Sequence, residues 1–117
     1  MSDAGKVLHA AFAFGPDRRE PVREWLKEGL SRDDRKIVGA DLKTVEYRWP
    51  LGMPKVRKLE PGLWEVRSRI TYGIARVIFT VDGDRMVLLH GFVKKSQRIP
   101  AVDLSTAQAR LKLFRKF

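Results

Sequence analysis

Leu63-Trp64-Glu65-Val66-Arg67-Ser68-Arg69-Ile70 decides the fold, read with Thr71-Tyr72-Gly73 and the run Ile74–Val81 that follow it. Trp64, Val66, Ser68 and Ile70 fall on one parity, and Glu65, Arg67 and Arg69 on the other. That period of two predicts a half-buried strand. Thr71-Tyr72-Gly73 reads as a turn, and Ile74–Val81 as a second, β-rich strand. Val81-Asp82-Gly83-Asp84 is a hairpin signal that leads into a third strand, Met86–Val93. Before them, Val56 and Leu59 suggest a short strand, stopped by Glu60-Pro61-Gly62.

Upstream the period changes. Leu8–Phe14 reads as a short buried strand ended by Gly15-Pro16-Asp17. Pro21 suits the first turn of a helix, where its missing N–H costs nothing. Val22, Trp25 and Leu26 follow at helical spacing, and Gly29 is the stop. Ser31 with Asp34 resembles a capping box for a second helix carrying Ile37, Val38, Asp41, Leu42, Val45 and Trp49. Pro50 with Gly52 ends it. Pro100 opens a last helix with Leu104, Ala107, Leu111 and Phe114 on one face. The expected order is β-α-α-β-β-β-β-α, an α+β fold with a small antiparallel-rich sheet, two N-terminal helices and a C-terminal helix.

The 117 residues fit one domain, 1–117, with Met1–Lys6 expected to be flexible. A hydrophobic content of 44% can fill a modest core, so disorder throughout is not expected. The absence of cysteine excludes a disulfide scaffold, a thiol nucleophile and a cysteine-ligated metal site. No apolar run reaches the roughly 18 residues of a membrane span. The start lacks the pattern of a secretory signal. The expectation is a cytoplasmic protein without a membrane partner.

Charge is unevenly placed. Residues 1–54 hold 10 basic and 9 acidic side chains, a net of +1, whereas residues 55–117 hold 14 and 5, a net of +9. Such asymmetry points to a polyanionic partner. Strand parity sharpens this. With an even number of residues in the turn near Thr71–Gly73, Arg67 and Arg69 share a face with Arg76. A two-residue Asp82-Gly83 loop would pair Arg76 with Leu89 and Ile74 with Gly91, and would carry Val93 and Lys95 onto that face. Arg67, Arg69, Arg76 and Lys95 would then converge, with Gly91 leaving room for a ligand. A charged outer sheet face exposed to water is the alternative. On this parity His90 faces away from the arginines, and Arg76→Ala is expected to leave folding nearly intact. His9, in an apolar run, reads as a packing residue. Trp25, Trp49 and Trp64 read as core, and Tyr72 at a loop tip as a candidate stacking surface. Two distant histidines without an acidic cluster make a metal site an unfavoured reading.

Three segments carry a family resemblance: Gly62-Leu63-Trp64-Glu65-Val66-Arg67, Ala75-Arg76-Val77-Ile78-Phe79, and Leu88-Leu89-His90-Gly91-Phe92-Val93-Lys94-Lys95-Ser96-Gln97. Together with Arg19–Leu26 they resemble the phage-derived, HigB-like branch of the RelE/ParE toxin superfamily, over roughly residues 12–115. The resemblance implies the toxin of a type II toxin–antitoxin pair, an mRNA endoribonuclease acting on the ribosome. Its implied partners are ribosome-bound mRNA and a helix-turn-helix antitoxin, with DNA contacted only through the antitoxin. Carried over residue by residue, it implies catalytic roles for Arg67, Arg76 and Lys95. Arg69, Lys94, Gln97 and Arg98 are the implied RNA-binding residues. The chain lacks the C-terminal tyrosine of the RelE pattern, closing instead with Phe114 and Phe117. The implied chemistry is attack of a ribose 2′-OH on the adjacent phosphate, which needs no cofactor or metal because the nucleophile lies in the substrate. Glu65 is the carboxylate nearest the arginines and a candidate base. Three other readings stay open: a toxin of the same superfamily that inhibits gyrase without chemistry, a basic nucleic-acid-binding module, and a degenerate toxin that retains only antitoxin binding and operon control.

Overall fold

The computed structural model describes residues 4–94 and 98–116. The elements are β1 (His9–Phe12), α1 (Pro21–Glu28), α2 (Arg32–Arg48), β2 (Val56–Glu60), β3 (Leu63–Ile70), β4 (Gly73–Asp82), β5 (Arg85–Lys94) and α3 (Ala101–Phe114), the order read from the sequence. The strands form one sheet in the order β1-β5-β4-β3-β2. Only β1 runs parallel to its neighbour among the described strands; β2 to β5 form an antiparallel meander.

Local chemistry sets the ends of these elements. Pro21 opens α1, and the Gly29 N–H caps it on the Trp25 carbonyl. The Ser31 hydroxyl accepts from the Asp34 N–H at 3.1 Å and starts α2. The Asp34 carboxylate does not complete a reciprocal box. It instead accepts from the Thr71 N–H at 3.2 Å and the Thr71 hydroxyl at 2.9 Å. The start of α2 is thereby tied to the β3–β4 turn. Gly62 takes φ 86° between β2 and β3, a conformation glycine adopts at little cost.

Helices cover both sheet faces. α1 and α2 bury Val22, Val38, Leu42 and Val45 against Val66, Ala75, Val77, Phe79, Met86 and Leu88. Trp49 stands edge-on to Trp64 and Phe79, with ring centroids 5.3 and 5.6 Å away. Trp25, Trp49 and Trp64 all pack against this core, as their sequence periods indicated. Ile37 does not join it: its side chain turns outward at 38% exposure. On the opposite face α3 sets Leu104, Ala107, Leu111 and Phe114 against Leu63, Ile78, Val87, Leu89 and Phe92. The buried Glu46 ties β1 to α2, accepting from the Ala10 N–H at 2.8 Å and from Lys6 Nζ at 3.3 Å. Among the described residues no helix is long and apolar enough to cross a membrane.

The β4–β5 hairpin departs from the expected register. Its closing pair is Asp82 and Arg85 around Gly83-Asp84, and a bulge follows between Ile78 and Phe79. The extra residue flips the parity of every pair beyond it. Arg76 therefore faces Phe92 rather than Leu89, and Ile74 faces Lys94 rather than Gly91.

Candidate functional site

The β3–β4 pairing builds the centre of the site. Ile70 pairs with Gly73 across a two-residue Thr71-Tyr72 turn, the even loop that the parity argument required. Arg67 is then directly opposite Arg76, Arg69 opposite Ile74, and Glu65 opposite Ile78. β2 adds Arg57 as the register partner of Glu65. All these side chains share the α3 face, with Glu65 level with Ile78, and Arg67 and Arg76 level with Phe92.

Glu65 collects three guanidiniums. Its Oε1 lies 3.2 Å from Arg57 Nε, 3.5 Å from Arg76 Nη1 and 3.9 Å from Arg67 Nε. Glu65 and Arg76 are both wholly buried, at 0% exposure, whereas Arg67 and Arg57 reach partly to the surface. Glu65 Oε2 has no hydrogen-bond partner among the described residues. Burial pushes the Glu65 carboxyl above its ordinary range, and the charges of Arg76, Arg57 and Arg67 oppose that rise. Burial lowers the Arg76 guanidinium; Glu65 resists the change, while Arg67 and Arg57 add to it. Three guanidiniums thus gather around one carboxylate, two of them reaching the surface.

Through Arg67 the cluster borders a cleft of about 180 Å³ lined by Pro54, Lys55, Arg67, Arg69 and Ile74. Lys55 is steadied by Asp41 of α2, Nζ to Oδ1 at 2.6 Å. Across the sheet Ile74 lies between Arg69 and Lys94, and both cations are exposed on the same face. Such a row suits phosphate oxygens, because guanidiniums bind them in a fork and an ammonium acts as a point charge.

The sequence-derived residues divide accordingly. Arg67, Arg69 and Arg76 come together as expected. Lys94 stands where Lys95 was expected, because the bulge moved the register by one. Lys95 and Gln97 lie outside the described residues, as do Met1–Asp3 and Phe117. Arg98 is exposed between β5 and α3. Gly91 does not open the cationic face. It pairs with Val77 on the opposite side, where an added Cβ would lie 2.3 Å from the Trp25 ring. His90, expected on the far side, shares the face of Ile78 and Glu65. Its Nε2 is 2.7 Å from Asp103 Oδ1, and its Nδ1 is 3.1 Å from Arg110 Nη1. Arg76 differs from the expectation with most consequence: it is wholly buried and paired with Glu65. Tyr72 is 81% exposed at the turn. Arg57 escaped the sequence reading. Its signal was faint: β2 is short, and its register depends on an irregularity between Lys58 and Glu60.

Three helices on a five-stranded, mostly antiparallel sheet, with arginines gathered on one face, define an α+β architecture compatible with the RelE-like toxin fold. The family model of phage-derived protein Gp49-like (DUF891) matches residues 24–112, and the chain belongs to that family. The family is part of the RelE/HigB-like group of toxin–antitoxin toxins, which implies an antitoxin partner. Among curated proteins, none matches the chain at a significant level.

Proposed function

We propose that this protein is an endoribonuclease toxin that cuts mRNA on the ribosome by transesterification and so inhibits translation. The observation that carries the reading is the Arg57–Glu65–Arg67–Arg76 cluster beneath a cationic cleft. A ribose 2′-OH attacks the adjacent phosphorus as the bond to the 5′ oxygen breaks, leaving a 2′,3′-cyclic phosphate and a 5′-hydroxyl. The protein's part is to hold the phosphate in line and to stabilise the charge that builds on the phosphorane.

Roles follow from exposure. Arg67 reaches the cleft and is the residue proposed to meet the reacting phosphate. Arg69 and Lys94 hold flanking phosphates, with Arg98, Gln97 and Lys95 as further contacts to be tested. Arg76 is a positioning residue: wholly buried, it holds Glu65, which in turn orients Arg57 and Arg67. The burial of Glu65 argues against its serving as a base for the 2′-OH. A partner helix-turn-helix antitoxin would silence the protein between episodes of activity.

Primer extension on mRNA from cells after brief induction tests the proposal. Cuts within translated frames that disappear in Arg67→Ala are the expected result. Growth arrest over intact mRNA would point to gyrase inhibition. Salt-sensitive RNA binding without cut ends would point to a binding module.

A further inference from the structure

A second cleft, of about 680 Å³, lies away from the arginine cluster, between the β1–α1 loop and α3. Ala13, Phe14, Pro16, Pro21 and Leu113 give it apolar walls, and Arg110 enters it from α3. Phe14 is 66% exposed at its mouth. Two of the other charges at the rim pair with each other. Glu24 is bound by Arg19, Oε1 to Nη2 at 2.5 Å, and Asp17 Oδ1 accepts from the Arg19 N–H at 3.0 Å.

Arg110 differs. Nη1 donates to the Leu89 carbonyl at 2.9 Å and contacts His90 Nδ1 at 3.1 Å. Asp103, which contacts the same imidazole, is engaged with His90 Nε2. Nε and Nη2 of Arg110 have no acceptor, and the guanidinium no acidic partner, among the described residues. Burial lowers its pKa, with no neighbouring acid opposing the shift. A half-buried guanidinium beside apolar walls, with Nε and Nη2 unbonded among the described residues, is completed by a carboxylate held in a fork.

We propose that this cleft is a docking site for a partner-protein segment that places a carboxylate on Arg110 between apolar side chains. Such a segment complements a chain of net charge +10. The antitoxin that the family implies is the natural source. RNA is the poorer occupant, because the cleft's other charged residues are two acids, Asp17 and Glu24, against one base, Arg19, and its walls offer a polyphosphate no second cation free of a partner. The inference is independent of whether the sheet face cleaves RNA.

Protein NMR on the full chain tests it with an acetylated, amidated Leu-Glu-Phe-Glu-Leu peptide, its Gln counterpart, and a short single-stranded RNA. The acidic peptide should shift the Arg110 Nε–H resonance and the Phe14 and Leu113 amides saturably at up to millimolar concentration. It should bind at least about tenfold more tightly than the Gln peptide. Arg110→Gln should remove that preference. Phe14→Ser, at an exposed position that leaves folding intact, should weaken both peptides. Equal binding of the two peptides, no saturable shift, or RNA shifting these same resonances would each overturn the proposal.

Discussion

Glu65 Oε1 lies 3.5 Å from Arg76 Nη1, and neither side chain is exposed to water. Breaking such a pair by removing one partner leaves a buried charge with poorer compensation, at a cost of about 3–5 kcal/mol. Arg57 and Arg67 remain beside Glu65 when Arg76 is lost, so Arg76→Ala should fall near the lower end of that range. Urea unfolding checks it; a change below 1 kcal/mol would mean that the cluster is held by something else.

Gly91 and Trp25 make the packing counterpart of that prediction. A Cβ at position 91 would sit 2.3 Å from the indole, so the ring and α1 must move. Gly91→Ala should cost about 1–3 kcal/mol of stability. Because the residue faces away from the arginines, cleavage measured well below the melting temperature should survive. Loss of cleavage with unchanged stability would return Gly91 to the ligand face.

Arg69 and Lys94 flank Ile74 on the exposed part of the sheet. If each holds a phosphate, removing either should weaken single-stranded RNA binding for all sequences alike. The slope of log K against log salt should fall by about 0.7 for each cation lost. Titrations of Arg69→Ala and Lys94→Ala at several salt concentrations read this directly.

The Arg19–Glu24 pair gives a pH signature at the second cleft. Hydrogen bonding from Arg19 is the main reason the Glu24 carboxyl sits below its ordinary value. With the folded value depressed, its contribution to stability is present above the unfolded pKa of about 4.3 and is lost as pH falls through the folded one. In NMR titration the Glu24 pKa should move back up in Arg19→Ala and in high salt. Insensitivity to both would show that the pair does not persist in solution.

Much of this was legible in the sequence. The alternation in Leu63–Ile70, the proline at the start of α1 and the Ser31 cap placed strands and helices, because those signals act over a few residues. The even Thr71-Tyr72 turn carried Arg67 onto Arg76 correctly. The bulge that leaves Leu89 extra opposite Ile78 and Phe79 was not legible: Gly91 beside it read as room for a ligand, and one inserted residue exchanged the faces of His90, Gly91 and Lys94. The depth of Arg76 was equally hidden. A strand arginine reads as a surface cation until Phe92 on one side and Glu65 nearby are seen to enclose it. Arg110 was invisible for a related reason, since its setting depends on how α3 meets a loop nearly a hundred residues earlier.

The most direct test of the central claim is end analysis of a short mRNA bound to purified ribosomes, after exposure to the purified protein and to its Arg67→Ala variant. The account predicts a discrete cut with a 2′,3′-cyclic phosphate upstream and a 5′-hydroxyl downstream, slowed roughly 100- to 1,000-fold in the variant. Intact mRNA with the unaltered protein, or equal cutting by the Arg67→Ala variant, would contradict it.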